Sequence, residues 1–161
     1  AVYVPADDFT DPAATHTFAH LSSAIVLSRK RASEGLYPAI DPLQSNSKML
    51  TPLIAGERHY RVAQEVRKTL ATYEELKDII AMLGLEELSA EDRRLVFRAR
   101  RLERFLTQPF FSTEQFTGHE GRLVPLEEAL SGCERLLNDE FADYPESALY
   151  MIGGVEEAQK T

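Results

Sequence analysis

Closely spaced acidic side chains give the first segment of the sequence that could do chemistry: Asp7, Asp8 and Asp11, with Phe9 and Thr10 between them. Carboxylates this near to one another could hold a cation or contact another protein. The segment lacks the glycine and the distal glutamate of an EF-hand calcium loop. It is also typical of a solvated turn, because Asp and Thr side chains bond readily to neighbouring backbone groups. Both interpretations stay open from these residues alone.

Two histidines four residues apart, His16 and His20, have the spacing of zinc ligands on a helix. Pro12 and the threonines at Thr15 and Thr17 argue against a helix at this point, and no glutamate follows His16 as in a zinc metalloprotease. We therefore expect structural or surface histidines and no metal site.

Sequence motifs for hydrolysis and for phosphate binding are absent. No serine lies in a G-x-S-x-G turn, and none of the eight glycines belongs to a G-x-x-x-x-G-K-[ST] loop. The single cysteine, Cys133, excludes an internal disulfide framework and a CxxC metal site. Hydrolytic triads and a phosphate-binding loop therefore have no recognisable anchor in this sequence.

A basic cluster stands out against an acidic chain, which has 26 acidic and 18 basic residues and a net charge of -8. That balance argues against nucleic acid as a partner. The cluster could still bind nucleic acid or a protein, but four acidic residues directly before it would repel a phosphate backbone. We expect a helix face directed to solvent, formed by Arg93, Arg94, Arg98, Arg100, Arg101 and Arg104. The aromatic residues that follow are expected mostly in the core: Phe105, Phe110, Phe111 and Phe116.

The elements that position these residues differ between two parts of the chain. Residues 1–53 are rich in proline and hold β-like segments at 1–5 and 23–29, which predicts strands and loops at the edge of an α/β domain. Because the chain opens on a strand-like run, we expect it to be cut from a longer polypeptide. Residues 54–161 have helical patterns instead.

Apolar spacing of three and four predicts a helix over residues 57–83 that ends at Gly84. Ser89 is placed as the N-cap of a second helix, and Pro125 opens a third. A short helix is expected from Val155. The expected core positions are Val62, Val66, Leu70, Ile80, Leu95, Leu102, Leu106, Leu126, Leu130 and Leu137.

Four phrases of the sequence share one family pattern. Residues 2–12 read VYVPADDFTDP, 36–42 read LYPAIDP, 86–92 read EELSAED, and 104–118 read RFLTQPFFSTEQFTG. They are similar to the VYVPADDLTDP stretch, the IYPAVDP loop, the acidic DELSEED tip and the RFLSQPF and FTG phrases of one family. In a single register over residues 1–161, the chain resembles the C-terminal third of the catalytic beta subunit of F-type ATP synthases. Several departures, such as Ala90 in place of an acid, suggest a divergent branch.

This resemblance implies a mainly α fold. A C-terminal helical bundle, residues 56–161, would follow the last strands and loops of a RecA-like α/β nucleotide-binding domain, residues 1–55. The whole subunit would synthesise or hydrolyse ATP, coupled to transmembrane movement of H⁺ or Na⁺. Its cofactors would be ATP or ADP with Mg²⁺. The phosphate-binding loop and the catalytic glutamate would lie upstream, so this chain is expected to hold no catalytic residue, to bind no nucleotide by itself and to be inactive.

The resemblance also assigns roles to individual residues. Tyr37 would stack on adenine, Phe110 and Phe116 would close the other side, and Tyr3 would lie near the phosphates. Contacts with the rotor are implied for Asp8, Thr10, Asp11, Glu86, Glu87, Glu91 and Asp92. The implied partners are alpha subunits in an alternating hexamer and the central gamma subunit. The assembly would lie peripherally on the cytoplasmic face of the bacterial inner membrane, or its organelle equivalent.

Two other classes of protein stay open. A RecA-type hexameric export ATPase shares the YPA-I-D loop, although the acidic tip argues against it. A helical protein-interaction module is the non-enzyme alternative. For the isolated chain, we expect a folded bundle and an N-terminal part that is either loosely ordered or held by self-association through strand edges, and that proteases trim before about residue 50.

Overall fold

The structure is a computed structural model that describes residues 2–4, 8 and 10–160. Helices dominate these residues, which confirms the mainly α fold. The α-helices are α1 (Pro12–Ala19), α2 (Arg29–Ser33), α3 (Pro52–Ala55), α4 (Glu57–Leu83), α5 (Ala90–Phe105), α6 (Glu114–Thr117) and α7 (Leu126–Leu137). Single 3₁₀ turns cover Leu85–Glu87, Phe111–Thr113, Glu146–Leu149 and Val155–Glu157. The two short strands are β1 (Ser23–Ala24) and β2 (Asn46–Ser47).

The first part of the chain contains less strand than its sequence predicts. β1 and β2 pair antiparallel, with Ser23 opposite Ser47, and an isolated bridge joins Leu27 to Ile40. The predicted strand over residues 23–29 is therefore reduced to β1 and this bridge. Of the predicted strand over 1–5, the described residues 2–4 form no strand, and Ala1 and Pro5 lie outside the described residues. Short strands of this kind need neighbours to satisfy their backbone groups.

Helix α1 corrects the expectation that residues around His16 are not helical. The Asp11 carboxylate accepts a hydrogen bond from the Ala13 backbone N–H at 2.9 Å, and Pro12 occupies the first turn, where its missing N–H costs nothing. The threonines do not prevent the helix, because Thr17 donates its hydroxyl to the Ala13 carbonyl at 2.8 Å.

The long helices follow the sequence prediction closely. α4 covers residues 57–83 and ends at Gly84, whose φ of 87° suits glycine and few other residues. Ser89 caps α5 by accepting the Asp92 backbone N–H at 3.0 Å. The third helix, α7, begins one residue after its predicted start, with Pro125 as its N-cap.

The core lies where α4, α5 and α7 meet the segment that follows α7. Of the predicted core positions, Val62, Val66, Leu70, Leu102 and Leu130 are buried, whereas Leu106 and Leu126 are exposed. The core also takes Phe105, which was expected there with the aromatic residues, and residues that the prediction omitted: Ala99, Cys133, Leu136, Phe141, Leu149 and Val155. Most of this core therefore comes from the helical part of the chain. Among the described residues, no helix is both long enough and apolar enough to cross a lipid bilayer.

Candidate functional site

The loop after α2 carries Tyr37, the residue expected to stack on adenine. Ser28 caps α2 by accepting the Arg31 backbone N–H at 3.4 Å, and Gly35, with a φ of 75°, turns the chain after the helix. Tyr37 follows, joined to Pro38 by a cis peptide bond. Its side chain is 50% exposed, so the ring is held by the loop backbone and still faces solvent.

Backbone carbonyls fasten this loop to the helical part of the molecule. The Gln108 backbone N–H donates to the Tyr37 carbonyl at 3.0 Å, and the Tyr150 hydroxyl donates to the Gly35 carbonyl at 2.7 Å. Gln108 directly precedes Pro109 and Phe110. The Tyr37 loop and the segment bearing Phe110 are thus hydrogen-bonded neighbours, although 71 positions separate Tyr37 from Gln108 in the sequence.

The expected aromatic partners of Tyr37 are on the surface. Phe110 is 45% exposed and Phe116, at the end of α6, is 87% exposed. The expectation of a mostly buried aromatic set is therefore wrong for Phe110, Phe111 and Phe116 and right only for Phe105. Among the described residues, ring contacts join Tyr3 to Phe18 and Phe141 to Tyr144, and none joins Tyr37 to Phe110 or Phe116.

A buried cation connects α2 to the bundle. The Arg31 side chain is 6% exposed and forms a short ion pair with Glu103 on α5. Its Nη2 lies 3.6 Å from a Glu74 oxygen on α4. Burial alone would lower the pKa of Arg31, but the hydrogen bond and charge of Glu103, with the charges of Glu74 and Glu34, outweigh it and raise the pKa. Arg31 therefore stays charged and ties the residues before Tyr37 to both long helices.

The N-terminal acidic residues form a local turn. Asp8 accepts both the Thr10 backbone N–H at 2.9 Å and the Thr10 hydroxyl at 2.6 Å, and these hydrogen bonds lower the pKa of Asp8. Asp11 caps α1 and accepts the Tyr3 hydroxyl at 3.3 Å. Asp7 and Phe9 lie outside the described residues. The Tyr3 ring also contacts Phe18, with the two ring centroids 6.0 Å apart, so Tyr3 is held against α1.

The acidic tip joins α4 to α5. Glu86, Glu87 and Glu91 are exposed, while Asp92 accepts the Ser89 hydroxyl at 2.8 Å. The buried side chain of Leu88 holds the turn against the bundle. Next to these carboxylates, the side chains of Met82 and Leu83 at the end of α4 are also exposed. The four predicted tip carboxylates and two exposed apolar side chains therefore lie within one short stretch of the chain, residues 82–92.

The arginines of α5 mostly face protein, which corrects the expectation of a solvent-directed face. Arg98 pairs with Asp139, and Arg100 lies 3.0 Å from Glu146. The other two packed arginines act on the backbone and on a ring: Arg101 donates to the Ala142 and Tyr144 carbonyls, and Arg104 lies 5.5 Å from the Tyr150 ring centroid. Arg93 and Arg94 are exposed as expected. Four of the six arginines therefore fasten the C-terminal segment to α5.

An apolar cleft of about 670 Å³ lies beside β1 and α1. Its lining includes Val2, Val4, Phe18, Ile25 and Leu27. His16 and His20 on the neighbouring helix are exposed. In the part of the chain that the structure describes, no three His, Cys, Asp or Glu side chains are grouped to hold a metal ion.

The sequence analysis did not identify Arg31, and it assigned Arg101 to a solvent-directed face. Both sit among other charged residues with no distinguishing spacing, and the contacts that matter here are distant in the sequence: Glu103 lies 72 positions from Arg31, and Ala142 and Tyr144 lie 41 and 43 positions from Arg101. Only an observed or predicted long-range contact could have identified them.

Comparison with known families agrees with this architecture. Residues 48–145 match the family described as the C-terminal domain of V and A type ATP synthase. Residues 1–47 match the nucleotide-binding domain of the ATP synthase alpha/beta family. The first match covers more than half of the chain and contains the three long helices.

Individual proteins are similar over nearly the whole chain. ATP synthase subunit beta 2 of Albidiferax ferrireducens is 78% identical over 159 residues, which are 99% of this chain and 31% of that protein. ATP synthase subunit beta 1 of a Marinomonas species is 77% identical over 160 residues, which are 99% of this chain and 33% of that protein. The chain thus spans about a third of the length of these relatives.

Solved structures share the fold. The ATP synthase subunit NeqB from Nanoarcheaum equitans superposes with a TM-score of 0.67 at 26% identity, over 84% of this chain and 34% of that one. EscN, an ATPase of the type III secretion system of enteropathogenic E. coli, gives a TM-score of 0.64 at 21% identity, over 84% and 31% of the two chains. At that identity the second likeness shows the fold alone. By its family matches the chain belongs to the ATP synthase family, and within it the chain corresponds to the C-terminal region of the beta subunit.

Proposed function

We propose that this chain is part of the catalytic beta subunit of a rotary F-type ATP synthase. In that subunit it supplies the adenine side of the nucleotide pocket and the acidic tip that contacts the rotor. Residues 1–55 complete the nucleotide-binding domain, and residues 56–161 form the bundle. The chemistry on the phosphates and the Mg²⁺ ion belongs to the rest of the subunit, because this sequence has no phosphate-binding loop.

The observation that carries the proposal is the hydrogen bond from the Gln108 N–H to the Tyr37 carbonyl. It fixes the backbone of the Tyr37 loop against the segment that bears Phe110, so the two parts of the chain that carry these exposed rings are held next to each other. A planar purine base binds to such rings by stacking, at about 1–3 kcal/mol per base. Tyr3, placed at the phosphate end by the family resemblance, is assigned a positioning role at most.

The acidic tip is the second functional surface in this proposal. Glu86, Glu87, Glu91 and Asp92 lie beside the exposed Met82 and Leu83. An apolar edge rimmed by charge fits a protein partner, for which we propose the gamma subunit. The N-terminal turn formed by Asp8, Thr10 and Asp11 is proposed as a second rotor contact.

Helix α4 connects the two surfaces. Its 27 residues span about 40 Å at 1.5 Å per residue. The tip lies at its C-terminal end, and Glu74, earlier on the same helix, contacts the buried Arg31 before the Tyr37 loop. Movement of the tip would therefore reach the nucleotide loop through one rigid element, which is the coupling that a rotary motor needs.

The proposed setting follows from the same assignment. The partners are alpha subunits, alternating with beta subunits in a hexamer, and the central gamma subunit. The assembly is peripheral to the membrane and faces the cytoplasm in a bacterium. An export ATPase is not favoured, because the likeness to EscN shows the fold alone, whereas identity to beta subunits reaches 78%.

The test uses a chimera in which this chain replaces the matching third of a full-length beta subunit. Tyr37→Ala should weaken MgADP binding by about 1–3 kcal/mol, because the ring face is lost, whereas Tyr37→Phe should bind nearly as well. Phe97→Ala, which removes another partly exposed ring, is the matched control and should leave the affinity unchanged. Equal losses for Tyr37→Ala and Tyr37→Phe would show that the hydroxyl carries the binding and would contradict the stacking role.

The isolated chain gives a simpler check. It should show no ATP hydrolysis, because the residues that bind the phosphates are not in its sequence. Turnover that follows the 161-residue polypeptide through size-exclusion chromatography would overturn the assignment.

A further inference from the structure

Arg67 makes a set of contacts that no assigned function uses. It lies on α4, about three turns from the start of the helix. Its guanidinium donates three hydrogen bonds to backbone carbonyls of the loop that follows Tyr37. Nη1 reaches the Pro42 carbonyl at 2.6 Å and the Ser45 carbonyl at 2.8 Å, and Nη2 reaches the Leu43 carbonyl at 2.9 Å.

A turn around the Asp41 side chain shapes the loop that carries these carbonyls. One Asp41 carboxylate oxygen accepts the backbone N–H groups of Leu43 at 2.9 Å and Gln44 at 3.1 Å. The Asp41 carboxylate thus satisfies backbone N–H groups within the loop, and the loop carbonyls are left to accept hydrogen bonds from a donor outside it. A planar guanidinium can serve several carbonyls at fixed angles, whereas a lysine ammonium is a single point donor.

The contacts of Arg67 complete a clamp around Tyr37. Before and at Tyr37, Tyr150 and Gln108 hold the carbonyls of Gly35 and of Tyr37 itself. After Tyr37 in the sequence, Arg67 holds the carbonyls of Pro42, Leu43 and Ser45. Each of these bonds joins a loop carbonyl to the helical part of the chain, so the path of the loop backbone around Tyr37 depends on the helices as well as on the Asp41 turn.

We propose that Arg67 is a positioning residue for nucleotide binding. It fixes the backbone after Tyr37 to α4, so that the ring is held at the angle and depth that stacking on a purine base requires. This inference rests on the proposed adenine role of Tyr37. Arg67 is outside the buried core cluster, in which the neighbouring α4 residues Val66 and Leu70 take part. Its loss should therefore move the loop and spare the bundle.

The experiment measures MgADP affinity in the same full-length chimera. Arg67→Met keeps the aliphatic stem and removes all three donors, and it should weaken binding about fivefold to tenfold, within the range expected for one base stack. Arg67→Lys retains one donor group and should fall between the wild type and Arg67→Met. Arg61→Met is the matched control, because Arg61 lies on the same helix but pairs with Glu134 on α7 at 3.1 Å. It should not change the affinity.

A double-mutant cycle separates positioning from a structural role. In a Tyr37→Ala background, Arg67→Met should cause no further loss of affinity, because the ring that it positions is absent. Amide exchange of the 161-residue chain gives a second readout: Arg67→Met should speed exchange in residues 36–47 and leave α5 and α7 protected.

Each of the other possible results contradicts either the positioning role of Arg67 or the adenine role of Tyr37. If Tyr37→Ala weakens binding but Arg67→Met does not, the positioning role is wrong and the proposed function stands. A loss from Arg67→Met that is undiminished in the Tyr37→Ala background would show that Arg67 acts by another route. If Tyr37→Ala itself has no effect, the adenine role fails and the positioning role fails with it.

Discussion

The buried ion pair between Arg31 and Glu103 gives the most direct test of how the two parts of the chain are joined. The Arg31 side chain is 6% exposed and that of Glu103 is 11% exposed, so both charges have lost most of their hydration. Glu74 lies 3.6 Å from the guanidinium and Lys77 lies 3.7 Å from the Glu103 carboxylate. The pair is thus the centre of a small charged network beneath α2.

Removing one partner should be costly because the other charge stays buried. Loss of one member of a buried ion pair costs about 3–5 kcal/mol. We expect about 3 kcal/mol for Glu103→Gln, the lower end, because Glu74 still faces Arg31. Replacing both groups by apolar residues, with Arg31→Met and Glu103→Leu together, removes both desolvation penalties. This double variant should lie within about 1 kcal/mol of the wild type.

The assay is urea unfolding of the 161-residue chain, followed by circular dichroism at about 222 nm. Lys30→Met is the control, because Lys30 also contacts Glu74, at 3.2 Å, but its side chain is 62% exposed. It should cost no more than about 1 kcal/mol, as expected for a surface pair. A cost for Glu103→Gln as small as that of Lys30→Met would show that the pair is not a buried connection. A double variant as unstable as the sum of the single variants would refute the desolvation argument.

Three further predictions concern the order of the chain and its core. Limited proteolysis should cut before about residue 20 and spare the rest of the chain, because Ser22, Val26 and Ser28 are hydrogen-bonded to the segment 39–48, within which Arg67 holds residues 42–45. Cleavage near residue 50 would support the sequence-based expectation instead. Gly132→Ala should lower the unfolding free energy by about 1–3 kcal/mol, because the new Cβ would clash with the Phe105 ring, even though alanine favours helix; an unchanged urea midpoint would show that Phe105 moves freely. Burial raises the pKa of Cys133 to about 11, so the thiol of the folded chain should resist thiol reagents at neutral pH. The stability that this pKa shift reflects is fully present below the ordinary thiol pKa near 9 and is lost as the pH rises through 11, and urea midpoints of the wild type and Cys133→Ala at several pH values check this loss.

The helices could be predicted because their signals are local. Gly84 ends α4, Ser89 begins α5, and the apolar spacing between such residues repeats every three or four positions. The buried residues were predicted less well than the helices, because apolar spacing identifies a helix face without showing how much of that face a neighbouring element covers. Leu106 and Leu126 lie at helix ends and are exposed, whereas Ala99 and Cys133 are buried between helices.

The candidate site was likewise predicted from the sequence only in part. The aromatic residues were identified from family phrases, but the residues that hold the site together were not. Arg31 reaches Glu103 across 72 positions, and Arg67 reaches loop carbonyls 22 to 25 positions away. Contacts to backbone carbonyls leave no complementary residue type in the sequence, so no pattern could indicate them. The prediction of a solvent-directed arginine face failed for the same reason, because two partners of Arg101 are the carbonyls of Ala142 and Tyr144.

The exposed aromatic residues show why composition alone misjudged the surface. Phenylalanine is assigned to the core because burying it is favourable, but that reasoning assumes that the chain buries its apolar side chains only against itself. Here Phe110, Phe111 and Phe116 are exposed, and a second apolar surface lines the cleft that includes Val2 and Ile25. Contiguous apolar surfaces of this kind mark contacts with other protein or with a ligand. A surface that holds a nucleotide base on one side and packs against further protein on another requires such exposure. Of the three phenylalanines that contradict the core prediction, Phe110 and Phe116 are the two proposed to close the base site, so their exposure is compatible with that proposal.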